Sequence, residues 1–173
     1  EVATGVGQTG VVGVIKGKGQ DSGRVIAMRA DMDALPIHEE TNLPHRSTVP
    51  GKMHACGHDG HTAMLLGAAK YLTETRDFDG TAVFIFQPAE EGGAGAKAMI
   101  DDGLITRFGI QEVYGMHNKP GVPVGKFEIR KGPAMAAADQ LHIKIEGLGG
   151  HAAAPHRVND PIVASCALVS ALQ

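Results

Sequence analysis

Two hydrophobic rhythms run along this chain. Val11 to Lys16 and Arg24 to Arg29 are apolar runs separated by Gly17-Lys18-Gly19-Gln20-Asp21-Ser22-Gly23, and they read as two strands joined by a flexible turn. Residues 62–75 carry Leu65, Ala68, Ala69 and Leu72 at helical spacing, which predicts a helix with one apolar face. Thr81 to Gln87 holds an unbroken apolar run, Ala82 to Phe86, of the kind found in a strand buried on both faces, and Pro88 ends it. A glycine-rich turn then leads into a short predicted helix over 94–102. Glu112 to Met116 predicts a short strand that delivers His117. Strands alternating with helices imply an α/β layer sandwich over residues 1–120.

The rhythm changes after His117. Asn118 to Pro123 is rich in proline and glycine and reads as a crossing. Beyond it Phe127 and Ile129, then Leu141, Ile143 and Ile145, alternate with polar residues, which predicts half-buried strands with one polar face. Asp160-Pro161 supplies an N-cap and a first-turn proline for a helix expected to bury Ile162, Cys166, Val169 and Leu172. Residues 124–173 therefore read as the opening of a second, α+β domain.

Composition narrows the partners. The 173 residues are 43% hydrophobic and 20% charged, within the globular range, and a net charge of −3 without a basic block argues against a nucleic-acid partner. No apolar run approaches the length of a membrane span. Cys56 and Cys166 make no disulfide framework, which suits a reducing, cytoplasmic setting. The chain opens without a methionine and stops inside an apparent helix, so it reads as a piece of a longer one, and a targeting signal stays open.

The densest chemistry lies in His54-Ala55-Cys56-Gly57-His58-Asp59-Gly60-His61, which puts three imidazoles, a thiol and a carboxylate into eight residues. His54, Cys56 and His58 alternate, so an extended stretch would project them to one side. Thiolate and neutral imidazole are the donor set of zinc and neighbouring transition metals. Glu90-Glu91 follows the buried strand. Adjacent glutamates are common in solvated loops, but beside a metal one can bind while the other takes a proton from water. Asp31 and Asp33 follow the run 24–29 at alternate positions, where a carboxylate can orient a ligating imidazole. His117 ends another strand, so all four clusters fall at or just after strand ends, where α/β sheets bind ligands. His151 sits on the glycine-flanked loop Gly147 to His151, which could carry a polar group to a substrate. His38, His45, His142 and His156 read as exposed or locally bonded. Gly5-Val6-Gly7 with Gly10 precedes a strand instead of joining a strand to a helix, so it is not a nucleotide fingerprint.

Four segments occur together and in order: Met28 to Pro36 (MRADMDALP), Met53 to Asp59 (MHACGHD), Phe86 to Glu91 (FQPAEE) and Gly149 to Ala153 (GGHAA). In these the chain resembles the metal-dependent amidohydrolases that include hippurate hydrolase, N-acyl-amino-acid amidohydrolases and plant indole-acetyl-amino-acid hydrolases, within the aminoacylase and carboxypeptidase metallopeptidase superfamily. The resemblance implies a three-layer α/β catalytic domain and a smaller, ferredoxin-like lid or dimerisation domain, both incomplete here. It implies two divalent ions (zinc, manganese, cobalt or nickel) bridged by Cys56 and bound by His58, Glu91 and His117. By the same resemblance Glu90 is the general base, Asp33 the carboxylate behind a ligating histidine, and His151 a lid residue that crosses a dimer to stabilise an oxyanion. A homodimer or homotetramer hydrolysing small N-acyl amino acids, with no nucleic-acid or membrane partner, is the implied whole. Family members run to about twice this length and carry a further C-terminal metal-binding histidine, within ordinary two-domain size. A dipeptidase or carboxypeptidase of the same superfamily, or a non-catalytic metal-binding dimerisation protein, stays open as an alternative.

Overall fold

The unbroken apolar run becomes the middle of a five-stranded sheet in a computed structural model, which describes residues 1–137 and 139–173. In chain order the strands are β1 (Val2–Val6), β2 (Gly10–Lys16), β3 (Val25–Asp31), β4 (Thr81–Gln87) and β5 (Glu112–Gly115), and their spatial order is β1-β2-β4-β3-β5. β1 and β2 form an antiparallel hairpin, and β2 is antiparallel to β4. β3 lies parallel to β4 on one side and to β5 on the other. The turn at Gly17–Gly23 therefore joins two strands that are not neighbours, because β4 enters between them. The register sets Asp31 opposite Gln87 and Arg29 opposite Gly115, so the carboxyl ends of three parallel strands meet at one rim of the sheet.

Alternate residues of β4 feed two separate cores, which is why no polar position interrupts it. Ala82, Phe84 and Phe86 pack with Ala30 and Leu65, and with Ala68, Ala69 and Leu72 of α1 (His58–Thr75). Val83 and Ile85 face the other way, with Val6, Val12, Ala27, Met99, Leu104 and Ile110. That side is covered by α2 (Gly95–Asp101) and α3 (Leu104–Phe108), which supply Met99 and Leu104. The result is helix, sheet, helix in three layers.

Two elements had no clear pattern. β1 is broken by Gly5 and mostly exposed, and α3 is only five residues long. The glycines at the β1–β2 turn have a packing reason: a Cβ on Gly10 would stand 2.4 Å from the Val6 carbonyl oxygen and 2.6 Å from Met99 Cε. Helix α1 starts earlier than its apolar pattern, at His58, because Gly57 turns into it at φ +83°.

Residues Val124–Gln173 form a separate compact unit from Glu1–Pro123. Helix α4 (Pro161–Leu172) starts where Asp160-Pro161 indicated, with the Ile162 N–H donating to Asp160 Oδ1 at 2.9 Å. Three expectations fail in this unit. Among the described residues no strand ladder forms at 126–130 or 141–146; the unit's backbone bridge pairs Leu148 with Asn159. Phe127 and Ile143 are exposed instead of half-buried. The apolar face of α4 is exposed too, with Ile162 at 70% and Val169 at 60%. A strand is stable only with a neighbour to bond and a layer to cover it, and among the described residues of this unit these segments have neither. Among the described residues no helix is long and apolar enough to cross a membrane.

Candidate metal centre

The rim made by the ends of β3, β4 and β5 receives the amino end of α1, and there the polar residues gather. Asp31 is the last residue of β3 and is 1% exposed. Its Oδ2 takes an ion pair from Arg29 Nη1 at 2.9 Å, and its Oδ1 lies 2.6 Å from His61 Nδ1. Arg29 Nε donates to Gln87 Oε1 at 2.7 Å, which ties the ends of β3 and β4 together. Two residues on, Asp33 accepts the Glu91 N–H at 3.0 Å and lies 3.2 Å from His58 Nδ1. Burial pushes both carboxyls up, but the opposing interactions win and both sit below their ordinary value. For Asp31 these are the His61 hydrogen bond and Arg29; for Asp33 they are the Glu91 and Glu90 backbone N–H groups.

His58 is the first residue of α1 and is fully buried. With Asp33 ionised, its Nδ1 carries the proton and donates, which leaves a bare lone pair on Nε2. That nitrogen is buried and has no hydrogen-bond partner. It lies 3.6 Å from Asp31 Oδ2 and 3.8 Å from Glu91 Oε1. A buried imidazole nitrogen without a partner is costly unless something binds it. A divalent cation is the group this donor set fits.

Cys56 and His117 complete the setting. Cys56 Sγ stands 3.4 Å from His117 Nε2, and His117 Nδ1 is 2.6 Å from the Asn118 carbonyl oxygen. Burial, then the neighbouring Glu91, Glu90 and Asp31 carboxylates, pushes the Cys56 thiol up. A dication among these anions reverses that balance and favours the thiolate. Three sets of side chains offer donor atoms within 4.8 Å of one another: Cys56, His58 and His117; His58, Glu90 and Glu91; and Asp31, His58 and His61. His58 belongs to all three.

Of the residues singled out from the sequence, Asp33, Cys56, Glu90, Glu91 and His117 each have donor atoms close to those of His58. The extended stretch pictured for 54–58 is replaced by a turn at Ala55–Cys56 and the start of α1, and none of the three donor sets includes His54. His151 lies in the second unit, where its Nδ1 accepts the Ala153 N–H at 3.1 Å. His61, Asn118, Arg29 and Gln87 had no assigned part. His61 falls on the same face of α1 as His58, three residues on, and that spacing was the available signal.

The chain matches the model of Peptidase family M20/M25/M40 over residues 27–172 and belongs to that family. It is 53% identical to a hippurate hydrolase of Campylobacter jejuni over all 173 residues, which cover 44% of that relative. It is 50% identical to an N-acetylcysteine deacetylase of Bacillus subtilis, over 96% of this chain and 43% of the relative. Among solved structures it is similar to the Bacillus subtilis YxeP protein, described as a dinuclear metal binding peptidase from the M20 family. The identity there is 50% and the TM-score 0.66, over 72% of this chain and 35% of that one. The chain thus spans under half the length of the curated relatives it matches.

Proposed function

We propose that the whole protein hydrolyses the amide bond of N-acyl amino acids at a site holding two divalent metal ions. The observation that carries this reading is the partnerless, buried Nε2 of His58 amid Cys56, His117, Glu90 and Glu91. The names of the hippurate hydrolase and deacetylase relatives support the substrate class. Cys56, His58, Glu91 and His117 would hold the ions. When bound, the ions supply Lewis acidity for the amide carbonyl and lower the pKa of water. A thiolate donor favours zinc over magnesium, and manganese, cobalt and nickel are the other ions proposed.

The chain's own residues divide the remaining work. Asp33 holds the His58 Nδ1 proton, so the ring keeps one tautomer with Nε2 facing the ions. Glu90 takes the proton of the attacking water and gives it to the leaving nitrogen. A C–O bond forms, the C–N bond breaks, and a carboxylic acid and a free amino acid leave. Residues 124–173 begin a lid and dimerisation domain of α+β type, and its His151 supplies a hydrogen bond to the oxyanion in the neighbouring subunit of a homodimer or homotetramer.

The test is a substrate panel on the full-length protein: N-benzoylglycine, N-acetylcysteine and an unblocked dipeptide, before and after chelation. Cleavage of the N-acyl substrates, lost on chelation and restored by zinc, manganese, cobalt or nickel, is the expected result. Cleavage of the dipeptide alone makes the protein a dipeptidase. Full turnover in the chelated protein overturns the metal-dependent reading.

A further inference from the structure

His61 is a buried histidine at the metal centre that no step above uses, and both its ring nitrogens are occupied. Nδ1 lies 2.6 Å from Asp31 Oδ1, and Nε2 receives the Asn118 backbone N–H at 2.9 Å. These two partners set the tautomer: Nδ1 donates to the carboxylate and Nε2 accepts. Asn118 Oδ1 stands 2.7 Å from the same Nε2, and a half-turn of that amide, which exchanges its oxygen and nitrogen, gives Nε2 a second donor. His61 thus has no lone pair left for a cation, whereas His58 Nε2 is bare. Although His61 stands within reach of one candidate donor set, its bonding removes it from the ligands.

Its partner is informative. Asn118 follows His117, and the Asn118 carbonyl oxygen lies 2.6 Å from His117 Nδ1. A neutral His117 that donates from Nδ1 presents a bare Nε2, which is the atom 3.4 Å from Cys56 Sγ. The two rings meet edge to face with centroids 4.6 Å apart. A chain of contacts therefore runs from Arg29 and Asp31 through His61 to the Asn118 backbone, whose N–H meets His61 and whose carbonyl meets His117. β5 ends at Gly115, so no sheet ladder holds Asn118 in place. Gly57 leaves room for the same residue, since a Cβ there would stand 2.1 Å from the nearest atom of the Asn118 side-chain amide.

We propose that His61 is a positioning residue that anchors the Asn118 backbone to Asp31 and so aims His117 Nε2 at the Cys56 metal position. This inference rests on the metal-site reading above. It differs from a packing role, which an apolar side chain of similar volume would fill.

The experiment titrates the metal-stripped full-length protein with Co2+ and follows the thiolate-to-cobalt band and the visible d–d bands. The metal-free melting temperature is measured beside them. His61→Leu keeps the volume and removes both hydrogen bonds. It is expected to weaken Co2+ binding about 10–100-fold, the usual effect of losing an outer support, and to shift the d–d bands. His61→Gln, which can still accept the Asn118 N–H, is expected to recover most of that loss. Asp31→Asn tests the chain of contacts with His61 intact. Arg29 holds the amide oxygen, so the NH2 faces His61 and drives the ring proton to Nε2, where it opposes the Asn118 N–H. The expected result is again weaker Co2+ binding. Wild-type affinity and bands in His61→Leu overturn the proposal. So does an equal loss in His61→Leu and His61→Gln that tracks their metal-free melting temperatures, because that is a packing effect. If His61→Leu does not fold, Asp31→Asn decides, and wild-type affinity there overturns the proposal. A wild-type protein that takes up no Co2+ overturns the metal-site reading as well, whereas cobalt binding indifferent to His61 overturns the positioning role alone.

Discussion

Glu90 and Glu91 are covalent neighbours with different surroundings. The Glu91 backbone is held by Asp33, and its carboxylate lies 3.8 Å from the bare nitrogen of His58. Glu90 shares the donor cluster, and both glutamates are exposed, so exposure leaves either open to water; the base role is the proposal above. Glu90→Gln keeps the shape and removes the proposed base, so turnover of the full-length protein is expected to fall by about two to four orders of magnitude with metal content unchanged. Glu91→Gln is expected to lose metal instead. Elemental analysis beside the rate measurement separates the two, and the reverse pattern exchanges their roles. Cys56, His58 and the glutamate pair were legible because their chemistry is unusual for a packing position. His61 and Asn118 were not, because a histidine with both nitrogens satisfied differs from a ligand only in its neighbours, and its neighbours come from 30 and 57 residues away.

At the scale of elements, β4 carries the fold. Phe84 is 1% exposed between the sheet and α1, among Ala30, Leu65 and the apolar face of that helix. Phe84→Ala opens a cavity there and is expected to cost about 3–5 kcal/mol, read as a lower denaturation midpoint with little change in slope. A variant within experimental error of the wild type places the load elsewhere. The same strand shows why element types were readable and their order was not. An apolar run buried on both faces marks itself in the sequence, but nothing in Val11–Lys16 or Arg24–Arg29 says that β4 will come between them. Strand order is settled by which edges close the two cores together. β1 and α3 left weak traces because one is mostly exposed and the other barely exceeds a helical turn.

For the molecule as a whole, the second unit is the informative part. Apolar side chains of α4 stand exposed along Ile162, Val163, Val169 and Leu172, and Phe127, Ile129 and Leu141 are exposed in the segment before it. Such an array calls for cover, which further strands and a second subunit would provide in the proposed dimer. In the proposed dimer, His151 of that unit would serve the neighbouring subunit. His151→Ala is expected to lower turnover and leave metal content intact. Mixed with inactive Glu90→Gln subunits, it is expected to regain activity, because one of the two hybrid sites keeps both residues. Proven heterodimers without regained activity would place His151 in its own subunit's site or outside the reaction.

By itself the sequence determined the candidate donor groups, the doubly buried strand, the proline that ends it and the cap that starts α4. All of these depend on residue chemistry or on contacts between near neighbours in the chain. The tertiary structure decided which ring nitrogens of His58, His61 and His117 have partners, which strand lies in the middle and which apolar faces find cover. Those outcomes depend on groups from distant segments meeting at one rim. The failure of the alternating segments after Pro123 to pair follows the same rule: periodicity shows which face of a strand would be buried, but only a neighbour with matching edge and surface buries it.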